Sequence, residues 1–119
     1  MVNGSLLLPG ERIDDLLIKG LKVIQSPRDY CFSIDAVLLA NFATVRPGER
    51  VMDLGTGCGV IPLLLSAKTR ASAICGIEVR PEQADRAARS VRFNGLTGRV
   101  QVTQGDMRQV KAFYPSGSF

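Results

Sequence analysis

Histidine is absent from the 119 residues, and its absence excludes two common kinds of active site. Without it the chain holds neither a histidine-based metal site nor a Ser-His-Asp triad, and we expect no metal. Long apolar runs are also lacking, since none reaches the roughly 18 residues of a membrane span. The three cysteines, Cys31, Cys58 and Cys75, form no CxxC pair. They predict reduced thiols, and we expect a cytoplasmic protein.

The sequence does contain a regular alternation of short apolar strands and helices. Residues 1–33 look irregular or hairpin-like, and a helix capped by Ser33 is predicted to run to about Val45. Beyond the turn at 46–49, strands are predicted at 50–54, 72–79 and 99–106, and helices at 60–68 and 81–95, with a helical turn near 107–113. A further short strand is predicted at 21–25. Arg86, Arg89 and Arg92 are predicted on the solvated side of helix 81–95, opposite Ala84, Ala87, Ala88 and Val91.

Strand, helix, strand, helix, strand is the βαβαβ unit of a parallel sheet. Right-handed crossovers place its three strands in the spatial order 3-2-1, with the ligand crevice at their carboxyl ends. Asp53 stands at the end of the first strand, Glu78 at the end of the second and Asp106 after the third. Three acidic residues that are far apart in sequence are therefore predicted to meet at one rim.

The stretch VMDLGTGCGVIP, residues 51–62, carries three glycines in a G-x-G-x-G pattern directly after the first strand. It matches neither the dinucleotide pattern G-x-G-x-x-G nor the phosphate loop, because no lysine follows. A pyrophosphate would be repelled by Asp53 at the loop entrance. A ligand with an ammonium group, a sulfonium, ribose hydroxyls and an amino-purine suits carboxylates. S-adenosylmethionine has all four and carries no phosphate.

The same motifs resemble a known enzyme class. RPGERVMDLGTGCGVIPLLLS, GIEVRPEQADRAARSVRFNGL and VTQGDMRQV resemble the first three motifs of class I S-adenosylmethionine-dependent methyltransferases. The upstream stretch ERIDDLLIKGLKVIQSPRDYCFSIDAVLLANFA resembles the N-terminal region of the tRNA(Val) adenine-N6-methyltransferase family. The resemblance implies an α/β, Rossmann-like doubly wound methyltransferase fold that binds S-adenosylmethionine, with tRNA as the partner of the full enzyme.

The resemblance also implies site residues. Gly55, Gly57 and Gly59 would shape the loop around the methionine part, and Asp53 would face its amino group. Glu78 would accept from both ribose hydroxyls. The other cofactor-binding residues would be Val79, Asp106 and Met107 near the adenine, and Phe32, Ser33 and Asp35 on the methionine side. Simpler alternatives remain open: Asp106 as the cap of the following turn, Glu78 as a solvated strand end, and Asp35 as a residue that only favours a helix dipole.

The sequence departs from that family in one respect. An Asn-Pro-Pro-Tyr motif, which in the family holds and stacks on the target base, occurs nowhere in the 119 residues. We interpret the chain as truncated after the third strand, with residues 1–33 preceding the domain and 34–119 forming the first half of the cofactor-binding domain. We expect this piece to carry no catalytic residue and to self-associate through the open edge of strand 50–54.

Other functions stay open at this point. The acceptor could be a ribosomal RNA guanine, a protein glutamine or a small molecule, because such enzymes share the cofactor motifs. A nicotinamide- or flavin-dependent oxidoreductase would use Glu78 on a ribose, and a non-catalytic binding module is a third possibility. Net charge is +4 at pH 7. The N-terminal segment gains positive charge from four basic residues, Arg12, Lys19, Lys22 and Arg28. Part of this segment is predicted to face tRNA phosphates, and the alternative is a surface that only keeps the protein in solution.

Overall fold

A computed structural model describes residues 7–28 and 34–114 of the chain. A hairpin comes first, with β1 at Arg12–Asp15 and β2 at Lys22–Gln25. The alternating unit follows, and its elements in chain order are α1 (Ile34–Phe42), β3 (Arg50–Leu54), α2 (Val60–Lys68), β4 (Ala73–Glu78), α3 (Pro81–Phe93) and β5 (Val100–Gln104). A 3-10 turn at Met107–Gln109 then leads into α4 at Val110–Phe113, which confirms the predicted helical turn.

The parallel sheet has the predicted topology. Its strand order is β3-β4-β5, and both neighbouring pairs are parallel. The order 3-2-1 expected from right-handed crossovers is therefore confirmed. In the register of β3 and β4, Asp53 lies opposite Gly76, and Glu78 of β4 lies opposite Gln104 of β5. Among the described residues, no strand pairs with β3 on the side away from β4.

Helix α1 ends three residues earlier than predicted, at Phe42 instead of Val45. Thr44 and Val45 are β-branched, and Pro47 disfavours the helical conformation at the residue before it. Together these three residues disfavour a further helical turn after Phe42. Ser33, the predicted N-cap, lies outside the described residues.

The core lies between the parallel sheet, α2, α3 and β2. Its largest fully buried side chains include Leu63 of α2, Ile74 and Ile77 of β4 and Val100 of β5. Val23 of β2 belongs to the same cluster, so the hairpin is part of the core. In the described part of the chain, no helix is long and apolar enough to cross a membrane.

Hydrogen bonds from α3 fix the hairpin in place. Ser90 is fully buried, and its hydroxyl oxygen accepts from the Ile24 N–H at 2.8 Å. One turn later the Asn94 side chain accepts from the Lys22 N–H at 2.9 Å and donates to the Lys22 carbonyl at 2.6 Å. Side chains of α3 thus supply the hydrogen-bond partners that the backbone of β2 would otherwise need from a further strand.

The predicted solvated face of α3 is wrong for two of its three arginines. Arg86 and Arg89 are buried, with 8% and 5% of their surfaces exposed. Both guanidinium groups bind the carboxylate of Glu11, at 2.9 Å from Arg86 Nε and 2.7 Å from Arg89 Nη2. Only Arg92 is exposed as predicted. Glu11 lies 75 residues before Arg86, so the helix periodicity held no sign of this contact.

Candidate functional site

The loop of residues 55–59 connects β3 to α2 at the carboxyl end of the sheet. Gly55, Gly57 and Gly59 all have positive φ angles, of 72°, 58° and 88°. A Cβ atom at Gly59 would come within 3.1 Å of the Ala87 side chain on α3, so that glycine also allows close helix packing. At Gly57 a Cβ atom would meet nothing within 4 Å. The loop backbone at Gly57 therefore borders open space.

Three backbone amides of the loop bind the end of β4. The N–H groups of Gly55 and Thr56 both donate to the Ile77 carbonyl, at 2.8 and 2.9 Å. The Gly57 N–H donates to Glu78 Oε1 at 2.8 Å, and the Arg80 N–H donates to Glu78 Oε2 at 3.0 Å. Glu78 is 8% exposed, so it is a buried residue that holds the loop and not a solvated strand end.

Asp53 lies at the base of the loop. The Thr56 hydroxyl donates to Asp53 Oδ2 at 2.7 Å. Burial raises the pKa of the Asp53 carboxyl above its ordinary value, the Thr56 hydrogen bond opposes that rise, and the negative charge of Glu78 adds to it. Two carboxylates from neighbouring strands thus share one partly dehydrated region, which favours a cationic ligand.

Asp106 follows β5 and caps the 3-10 turn, as one of the two sequence interpretations predicts. Its carboxylate accepts from the Arg108 N–H at 2.8 Å and from the Arg108 guanidinium. This contact lowers the pKa of Asp106 to about 2. Arg108 is itself 86% exposed on its side chain, so its guanidinium is free to move away into solvent.

Two clefts meet at Gly55. The α1 cleft, about 320 Å³, is lined by Asp35 and Leu39 of α1, by the loop including Thr56 and Gly57, and by Gln83 of α3. The β5 cleft, about 440 Å³, is lined by the last residue of β4 and by residues that follow β4 and β5: Glu78, Val79, Asp106, Met107 and Arg108. Val79 and Met107 are large apolar side chains that remain exposed there.

Most of the predicted site residues therefore surround two connected clefts. Asp53 and Gly59 are not among the described residues lining either cleft; Asp53 lies at the base of the loop and Gly59 at its end, where α2 begins. Phe32 lies outside the described residues. Thr56, Gln83 and Arg108 line the clefts and were not singled out from the sequence. For Thr56, its place between two loop glycines was a usable signal, whereas Gln83 and Arg108 offered none.

The described residues 7–28 and 34–114 contain no group of three or more His, Cys, Asp or Glu side chains that could hold a metal ion. Among the described residues, the buried cysteines Cys58 and Cys75 form no disulfide. The clefts offer carboxylates, backbone amides and apolar side chains, together with the Thr56 hydroxyl, the Cys58 thiol, the Gln83 amide and the Arg108 guanidinium.

Comparison with known proteins identifies the family of the chain. The profile of the family described as TRM5/TYW2 methyltransferase domain matches residues 38–116. A tRNA1(Val) (adenine(37)-N6)-methyltransferase from Actinobacillus pleuropneumoniae serotype 5b is 32% identical over 74 residues, covering 61% of this chain and 31% of that enzyme. The chain thus spans about a third of the length of the curated relatives it matches.

Solved structures show the same fold. P. horikoshii TYW2 in complex with MeSAdo has a TM-score of 0.69 at 21% identity, over 85% of this chain and 38% of that one. Methanocaldococcus jannaschii Trm5 in complex with adenosine has a TM-score of 0.68 at 16% identity, over 87% and 32%. These likenesses confirm the Rossmann-like methyltransferase fold. The profile match over residues 38–116 establishes that the chain belongs to the TRM5/TYW2 methyltransferase domain family.

Proposed function

We propose that the two clefts bind S-adenosylmethionine, and that the protein methylates the N6 atom of an adenine in tRNA. The observation that carries the first part is the arrangement around Gly55. The glycine-rich loop of residues 55–59 separates a cleft bordered by Asp35 from a cleft bordered by Asp106. Two carboxylates, those of Asp53 and Glu78, lie next to this loop. In this arrangement the methionine part lies in the α1 cleft and the adenosine part in the β5 cleft.

The carboxylate of Glu78 fits a ribose. Each of its oxygens accepts one backbone N–H, from Gly57 and from Arg80. A carboxylate has about four acceptor positions, so each oxygen keeps capacity for one ribose hydroxyl. The two backbone contacts hold the carboxylate in place before the ligand arrives, which reduces the entropy lost on binding.

The β5 cleft fits an adenine ring. Val79 and Met107 offer exposed apolar surface at its border, and Asp106 offers a carboxylate to an exocyclic amine. Arg108 presently engages both Asp106 oxygens. The guanidinium must therefore move, or share the carboxylate, when the amine binds. Because the Arg108 side chain is exposed, that movement meets little resistance.

The ionic character of the α1 cleft suits the other end of the ligand. Asp35 lines the cleft and Asp53 lies behind its loop, so the region carries negative charge toward an ammonium and a sulfonium. When bound, S-adenosylmethionine would supply an electrophilic methyl group. The residues named here bind and orient the cofactor, and none of them contacts the methyl acceptor in this proposal.

The adenine-N6 specificity rests on the name of the relative from Actinobacillus pleuropneumoniae and on the resemblance of the N-terminal residues to that enzyme family. The 119 residues contain no Asn-Pro-Pro-Tyr motif. We therefore expect this chain alone to bind the cofactor without transferring its methyl group.

Calorimetry on the 119-residue chain tests the cofactor. We expect S-adenosylmethionine and S-adenosylhomocysteine to bind and NAD not to bind. Binding of NAD alone would instead favour the oxidoreductase, in which Glu78 would bind a ribose.

Nucleoside analysis tests the acceptor. Bulk tRNA from cells with and without the gene is digested and analysed by mass spectrometry. Loss of N6-methyladenosine without the gene supports the proposal, whereas loss of another methylated nucleoside would assign a different tRNA position. An unchanged set of tRNA nucleosides would contradict tRNA as the acceptor.

A further inference from the structure

Gly76 of β4 is the one glycine in the described parallel sheet, and it has no space for a side chain. A Cβ atom there would lie 2.8 Å from three atoms of Thr56: its Cβ, Cγ2 and Oγ1. Thr56 belongs to the glycine loop and is 7% exposed. Gly76 also lies directly opposite Asp53 in the register of the sheet. The loop threonine therefore rests on the one sheet position where a missing side chain makes room for it.

We propose that Thr56 and Gly76 are positioning residues for Asp53: the Thr56 hydroxyl holds the Asp53 carboxylate at the base of the loop that borders the cationic end of the ligand, and Gly76 makes the space in which Thr56 does so. The inference rests on the proposed binding of S-adenosylmethionine, since it assigns how that site keeps its negative charge.

The Thr56 hydroxyl acts on Asp53 in two ways. Its hydrogen bond to Oδ2, at 2.7 Å, fixes the orientation of the carboxylate. It also favours the ionised form of Asp53, against burial and against the charge of Glu78, which both raise the pKa. A cation binds the ionised form only, so the hydroxyl keeps the site in the state that binds.

Gly76 is required because Thr56 has no way to avoid a side chain there. One of the three close atoms is the Thr56 Cβ, and rotation about χ1 does not move that atom. The Thr56 backbone is held by its N–H bond of 2.9 Å to the Ile77 carbonyl, one residue after Gly76. An alanine at position 76 would therefore displace the loop itself.

Two threonine variants test the hydroxyl. Thr56→Val removes it at nearly constant shape, and Thr56→Ser keeps it. The first measurement is the pKa of the Asp53 carboxyl, which is determined by ¹³C NMR on the ligand-free 119-residue chain. The second is the affinity for S-adenosylmethionine by calorimetry across pH. We expect Thr56→Val to raise the Asp53 pKa and to weaken binding by an amount that grows as the pH falls toward the raised pKa, reaching roughly fivefold to tenfold at acid pH. Thr56→Ser should preserve both.

A merely structural role for Thr56 would lower affinity equally at every pH and leave the Asp53 pKa unchanged. That result, or equal behaviour of the valine and serine variants, would overturn the inference. The NMR measurement needs no ligand. A wild-type chain that binds no S-adenosylmethionine would therefore refute the proposed function, while the Asp53 pKa would still decide the role of Thr56.

A double-mutant cycle tests Gly76. We expect Gly76→Ala to weaken binding roughly tenfold or more, and to have little further effect once Thr56→Gly has removed the three close atoms. Gly98→Ala is the matched control, because a Cβ atom there meets nothing within 4 Å. An equal loss from Gly76→Ala in the wild-type and Thr56→Gly backgrounds would show that Gly76 does not act through Thr56.

Discussion

The carboxylate of Glu11 connects the N-terminal hairpin to α3, and its removal should destabilise the chain strongly. Glu11 accepts from Arg86 Nε at 2.9 Å, from both terminal nitrogens of Arg89, and from the Leu8 N–H at 2.8 Å. The side chains of Glu11, Arg86 and Arg89 are 4%, 10% and 6% exposed. Three charged groups thus depend on one another with little help from water.

Glu11→Ala is expected to cost about 3 kcal/mol of the free energy of unfolding. Removing one partner of a buried ion pair costs about 3–5 kcal/mol. The lower end applies, because Arg86 keeps Gln83 and Arg89 keeps Asp85 as partners. With a urea slope of about 1.5 kcal/mol/M, the unfolding midpoint should fall by roughly 2 M. Glu82→Ala, an exposed carboxylate on the same helix, should change stability by less than about 0.5 kcal/mol.

The same contact predicts a pH dependence of stability. Hydrogen bonds from Arg89 lower the pKa of Glu11 from 4.5 to about 2. Because the folded-state pKa is lowered, this contribution is fully present above pH 4.5 and is lost as the pH falls toward 2. Urea unfolding at several pH values should therefore show a steeper acid loss for the wild type than for Glu11→Ala. Parallel losses in the two proteins, or equal midpoints for Glu11→Ala and Glu82→Ala, would refute the reasoning.

Three further predictions concern the site, its partner and the sheet edge. Glu78→Ala should weaken S-adenosylhomocysteine binding by about 1.5–3 kcal/mol in calorimetry, because ribose hydroxyls and the Gly57 N–H lose their acceptor; unchanged affinity would remove Glu78 from the site. Replacing Lys19 and Lys22 with glutamine should reduce the slope of log K for tRNA binding against log salt concentration by about one and not two, because Lys22 already pairs with Asp15 at 2.6 Å. An unaltered slope would show that both lysines only keep the protein in solution. The open side of β3 should produce concentration-dependent association in sedimentation experiments; an ordered monomer at high concentration would contradict that prediction.

The sequence by itself determined the parallel unit and the place of its crevice. The predicted bounds of β3 and α2, residues 50–54 and 60–68, are those of the structure. Local signals set them: an apolar run bounded by glycines, and a proline in the first helical turn. The handedness of crossovers is general for L-amino acids, so the strand order followed without any knowledge of packing.

Only the tertiary structure decided which side chains line the clefts and which hold the fold. Arg86 and Arg89 fall on the polar side of the α3 pattern, yet Glu11 makes burial favourable for both. Asp106 satisfies the pattern of an adenine ligand and also caps a turn through Arg108. Periodicity reports only the contacts of a segment with a generic core. Contacts between residues distant along the chain depend on where folding brings each partner, and no local pattern encodes that position.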